Sequence, residues 1–70
     1  MNQHQLILQY LEDNGSITPM DAFRELGITK LSTRIGELAR MGYQFDRVME
    51  TSLNRYGHEC RFMRYRKAAA

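Results

Sequence analysis

Tryptophan is absent from this 70-residue sequence, and cysteine and proline occur once each, as Cys60 and Pro19. A single cysteine cannot close an internal disulfide, so the fold must stand without a covalent staple, which fits a reducing compartment. Long apolar runs are also missing. Apart from the terminal alanines the longest is Leu6-Ile7-Leu8, far short of the roughly 20 residues that a membrane-crossing helix needs. No signal-peptide core follows Met1. The expectation is a soluble cytoplasmic domain with no membrane contact. No glycine-rich phosphate loop is present, and a chain this short buries only about 60% of the surface its unfolded form exposes. That leaves little room for an enclosed catalytic cavity. Neither enzymatic activity, a cofactor nor a small-molecule substrate is expected.

Metal-binding and nucleophilic groups are equally sparse. His4 and His58 fall on different elements, and His58 with Cys60 offers two ligands where structural zinc takes four. No metal site is expected. Cys60 reads as a small hydrophobe. Asp21 and Glu25 share a helix face and read as solvated.

What the sequence does contain is a lopsided charge. Residues 1–27 carry Arg24 against four carboxylates, a net of −3, whereas residues 28–70 carry nine Lys and Arg against four, a net of +5. Such a division favours an anionic partner at one end of the molecule.

The pattern of apolar residues and glycines divides the chain into five elements. Helical spacing of Ile7, Tyr10 and Leu11 predicts a helix from about Gln3 to Asn14, with Gly15 in the left-handed position beyond its end. Ser16-Ile17 suits only an extended connector or a one-bridge strand. Thr18-Pro19-Met20-Asp21 reads as a helix start, with Thr18 as cap, proline in the first turn and a carboxylate near the free N–H groups. That helix carries Ala22, Phe23 and Leu26 and stops at Gly27. A third is expected from about Lys30 to Met41, capped by Thr29 and closed by Gly42. The period then changes to two. Tyr43–Met49 and Cys60–Arg66 read as strands around a turn at Asn54–His58 in which Gly57 is free to take positive φ. Tyr56 reads as a hairpin packing residue. Residues 1–67 are expected to form the domain, and 68–70 a cloning scar or disordered tail.

Two short helices joined by a three-residue turn containing glycine make a helix-turn-helix. Small Ala22 allows close helix packing, Ile28 plugs the corner, and Leu31, Ile35 and Leu38 form a core stripe. The chain thereby resembles the winged helix-turn-helix superfamily, and more narrowly the short helix-turn-helix proteins of phage and prophage regions. The segments that carry the likeness are Gly15-Ser16-Ile17-Thr18-Pro19, Leu26-Gly27-Ile28-Thr29, Arg34-Ile35 with Glu37-Leu38, Met41-Gly42-Tyr43, and Asn54-Arg55-Tyr56-Gly57 before a basic-aromatic strand. The fold class implied is α+β, three helices followed by a two-stranded β-hairpin wing. The resemblance also implies a recognition helix in the DNA major groove and a wing on adjacent backbone or minor groove.

At about 100° per residue, the side of helix 3 opposite the core stripe presents Thr29, Lys30, Ser32, Thr33, Gly36, Glu37 and Arg40, with Arg34 on the shoulder. Short hydroxyl side chains around a glycine, flanked by cations, suit close approach to base edges and phosphates. Glu37 has two readings, as an acceptor for cytosine N4 or as the ion-pair partner of Arg34 or Arg40. In the wing, Asn54, Arg55 and His58 are the candidates for phosphate or a narrow minor groove. Arg61, Arg64, Arg66 and Lys67 alternate with Phe62, Met63 and Tyr65, and both faces of that strand are mixed. The expected partner is duplex DNA, bound by a monomer or by a homodimer on paired half-sites, in a regulator of transcription of phage or bacterial type. The alternative is a winged-helix protein-interaction module, such as a phage protein that inhibits a host enzyme. Structure-specific RNA binding is a third reading.

Overall fold

The computed structural model describes residues 1–68. In chain order it contains α1 (Gln3–Asn14), α2 (Pro19–Leu26), α3 (Leu31–Arg40), β1 (Phe45–Leu53) and β2 (Glu59–Lys67). Each of the first two helices begins with a reciprocal capping arrangement, which satisfies donors that a helix start would otherwise leave open. Thr18 Oγ1 accepts from the Asp21 N–H and Asp21 Oδ2 accepts from the Thr18 N–H, both at 3.1 Å. At α1, Asn2 Oδ1 accepts from the Gln5 N–H at 2.8 Å and Gln5 Oε1 accepts from the Asn2 N–H at 3.0 Å. Asn2 followed three residues later by Gln5 was a readable signal for that cap.

The turn between α2 and α3 depends on Gly27, whose φ of 69° places it in the left-handed region that glycine enters without steric penalty. Its N–H bonds to the Phe23 carbonyl at 3.1 Å, and the next N–H, of Ile28, reaches Ala22 at 2.9 Å. This reversal turns the Ile28 side chain inward, where it is 1% exposed.

Thr29 does not cap α3. The flanking residue is Lys30, with φ −122° and ψ 58°, and it has no acceptor to offer the free N–H groups. Thr29 lies one position too early and is exposed.

The core consists of Ile7, Leu11, Ile17, Ala22, Ile28, Leu31, Ile35, Leu38 and Tyr65, with Leu8, Tyr10, Leu26, Tyr43, Phe45 and Met63 packed around it. Each fully buried Ile or Leu stabilises the fold by about 1.5–3 kcal/mol relative to exposure. Phe23 does not join them. It is exposed, because burying Ala22 and Leu26 against the neighbouring helices turns position 23 outward.

The strands form one antiparallel pair in which Phe45 lies opposite Lys67 and Leu53 opposite Glu59. β1 begins at Phe45 rather than Tyr43 and reaches Leu53 rather than Met49, whereas β2 gains one residue at each end. The single bridge anticipated at Ser16-Ile17 is present: Ile17 and Tyr65 each donate their N–H to the other's carbonyl at 2.9 Å. This bridge settles which face of β2 is buried, since it draws Tyr65 into the core beside Met63.

Beyond that base the hairpin leaves the body, and both faces meet solvent. Cys60 is therefore exposed rather than a buried hydrophobe, and Tyr56 at the tip is 80% exposed rather than packed. Ala68 belongs to the fold as well. Its N–H donates to the Gln44 carbonyl at 2.8 Å and continues the ladder past Lys67. The rest of the expected scar or tail, Ala69 and Ala70, lies outside the described residues.

Candidate nucleic-acid interface

Burial of Leu31, Ile35 and Leu38 at 3%, 0% and 0% sets the rotation of α3 about its axis. Residues on the other side then have to face outward, as the period of 3.6 requires. Thr29, Lys30, Ser32, Thr33 and Arg40 are exposed, and Gly36 is half-buried between them. A Cβ added at Gly36 would meet no atom within 4 Å. The glycine therefore leaves a shallow place on the helix surface, and internal packing does not require it.

Arg34 and Glu37 are both half-buried and are engaged within the protein. Arg34 Nη1 donates to Glu37 Oε1 at 2.9 Å, and Arg34 Nε donates to Gln3 Oε1 at 2.8 Å. His4 Nε2 lies 2.8 Å from the same Glu37 oxygen and donates to it. The hydrogen bond from His4, then that from Arg34, hold the Glu37 carboxyl below the usual glutamate range. Of its two readings Glu37 takes the ion pair, with Arg34 and His4 as partners and not Arg40. The cluster fastens the start of α1 to the middle of α3. Nothing local marked Gln3 or His4, which are more than thirty residues from their partners.

The cations that remain are better placed for a ligand. Among the described residues, Lys30, Arg40 and Arg55 have no carboxylate within ion-pair distance. Lys30 and Arg40 stand at the two ends of α3, and Arg55 is at the tip of the hairpin.

The tip is shaped by Asn54. Its Oδ1 accepts from the N–H groups of Tyr56 at 2.9 Å and His58 at 3.0 Å, while Gly57 takes φ 78°. The Asn54 oxygen is thus used inside the turn, an Asx arrangement, and it presents Arg55 and His58 outward. Arg64 secures the hairpin base. Its Nε donates to Glu50 Oε2 and its Nη1 to Ser16 Oγ, both at 2.9 Å. The structure thus brings Thr29, Lys30, Ser32, Thr33, Gly36 and Arg40 onto one helix face, and groups Arg55 and His58 separately at the wing tip.

Three helices with a tight α2–α3 turn, an exposed α3 face and a protruding hairpin define a winged helix-turn-helix domain. The family model of the winged helix-turn-helix domain matches residues 2–66, and the chain belongs to that family. No curated protein and no solved structure gives a significant match. Winged helix-turn-helix domains are, as a class, DNA-binding modules rather than catalytic ones. Among the described residues no helix is long and apolar enough to cross a membrane.

Proposed function

We propose that this chain is a sequence-specific duplex DNA-binding protein, a transcriptional regulator of phage or bacterial type that acts in the cytoplasm. In this reading α3 enters the major groove, Ser32 and Thr33 meet base edges, and Arg40 reaches guanine or phosphate. Thr29, Lys30 and the surface beside Gly36 lie against the backbone, and Arg55 and His58 follow the adjacent phosphates or minor groove. Arg34 and Glu37 contribute by holding α3 in place. The observation that carries the reading is the α3 face itself, which is exposed, short in side chain and bounded by two unpaired cations opposite a fully buried stripe.

Titration of the chain against random duplex DNA at several salt concentrations tests it. With about 4–6 phosphate contacts per monomer, log affinity should fall against log salt with a slope near −4 to −5. A flat response, or no binding at low salt, removes the DNA reading. Selection from a randomised duplex pool should then yield a preferred site.

A further inference from the structure

The two strands of the wing differ in what lies beside them. Strand β2 pairs with β1 along its length and is met on its other edge by Ile17 at Tyr65. Among the described residues β1 has β2 on one side only, and no helix packs along it.

The alternation of an antiparallel ladder identifies the backbone groups that β1 leaves open. Just before the strand Gln44 accepts from Ala68, and just after it Asn54 donates to His58, both at 2.8 Å. Even-numbered residues therefore turn their N–H and C=O towards β2. Phe45, Arg47, Met49, Thr51 and Leu53 turn theirs outward. Tyr65 agrees with this parity: it lies opposite Arg47, and its own N–H and C=O go to Ile17 on the far side.

We propose that this edge pairs with the same edge of a second copy of the chain, antiparallel about a two-fold axis at Met49. The result is a continuous four-stranded sheet in the order β2-β1-β1-β2. An unbulged nine-residue edge without proline or lysine is the kind that invites strand addition. Val48, Met49 and Leu53 on it are 46%, 57% and 72% exposed.

The charge pattern of the strand selects the second copy as the occupant. A two-fold axis normal to the sheet sets residues of the same face opposite one another, so the register moves only in steps of two. At full overlap Met49 meets Met49 of the second copy, Phe45 meets Leu53, Arg47 meets Thr51, Val48 meets Glu50 and Asp46 meets Ser52. No like charges face each other, and every outward N–H and C=O finds a partner. One step either way shortens the overlap and opposes Asp46 to Glu50 of the second copy, or Glu50 to Glu50. Like charges directly opposite are destabilising. Only full overlap pairs all five outward-facing residues without opposing like charges.

This inference concerns the protein without DNA, so it stands or falls separately from the DNA reading. Sedimentation velocity of the full chain from low micromolar to about millimolar concentration should show a monomer–dimer equilibrium, with no larger species. Met49→Glu and Met49→Lys each set like charges face to face on the axis, and each alone should self-associate at least about ten-fold more weakly. Within its own hairpin Met49 faces only Met63, so melting curves of both variants should stay close to that of the parent. Mixed in equal amounts, the two variants should recover a dimer, because opposite charges now meet.

Hydrogen exchange of the unmutated chain gives an independent readout. As concentration rises, the N–H groups of Phe45, Arg47, Met49, Thr51 and Leu53 should slow, while those of the even-numbered residues are slow throughout. A monomer at every concentration overturns the proposal. So does growth beyond two copies, a dimer indifferent to both single variants, or a dimer in which the odd-numbered N–H groups still exchange freely.

Discussion

Helix α3 and the hairpin are each divided into a buried and an exposed part, but the divisions run in different directions. In α3 the boundary runs along the helix axis, so Ile35 is fully buried while Thr33, two residues away, is exposed. In the hairpin the boundary runs across the strands. Tyr65 and Met63 at the base join the core, whereas residues 51–60 are exposed on both faces. A helix held along its whole length can read bases in a fixed register. A hairpin held only at its base can follow a backbone of variable shape. In the proposed DNA reading the fold would offer one firmly held contact and one held only at its base, and the difference comes from where the apolar residues lie.

The largest expected effect comes from breaking the firmly held partner. Ile35→Ala removes a fully buried side chain from the centre of the α3 stripe, a change that typically costs about 2–5 kcal/mol. A domain of this size has little to spare, so the thermal transition should fall close to or below physiological temperature, with DNA binding lost as a consequence. A stable Ile35→Ala protein that nonetheless fails to bind DNA would put this residue at the interface and rotate α3 by half a turn.

Changes on the exposed sides should separate affinity from stability. Thr33→Ala and Arg40→Ala should each lose about 1–3 kcal/mol of binding to the preferred site, with melting temperatures nearly unchanged. Arg55→Ala, on the hairpin tip, should weaken binding to all sequences alike and reduce the salt slope by about 1. If Arg55→Ala instead altered sequence preference as Thr33→Ala does, the tip would be a base reader and the contrast would fail.

The smallest effect concerns the cluster that fastens α3 to α1. His4 and Arg34 hold the Glu37 carboxyl below its usual range in the folded protein. Stability from this source is therefore complete above the ordinary glutamate value and is lost as pH falls through the depressed one. Thermal melts across the acid range should show the parent losing stability where Glu37→Gln loses less. At neutral pH Glu37→Gln should melt slightly lower. Parallel acid limbs would mean that the cluster does not position the helix.

Much of the helical half was legible before any tertiary contact was known. Thr18, Pro19 and Asp21 act on backbone groups within one turn, Gly15 and Gly27 take backbone angles that other residues rarely adopt, and the α3 stripe repeats with the helix period. These effects are local, so residue order states them directly. Thr29 does not cap α3 because the first turn begins one residue later than its position requires, and Lys30 takes the flanking position.

The amino-acid sequence by itself determined the order of the elements, the α2–α3 turn and the face of α3 that turns outward. It did not determine which face of β2 is buried, because Phe62, Met63 and Tyr65 put apolar side chains on both. The Ile17–Tyr65 bridge, between residues far apart in the chain, made that choice. Only the packed molecule could set His4 and Gln3 against Glu37 and Arg34, turning two candidate DNA contacts into a brace. It likewise carried Cys60 and Tyr56 out beyond the core, where alternation no longer separates inside from outside. Local rules read a residue's neighbours along the chain; these outcomes depended on which distant surface arrived opposite it.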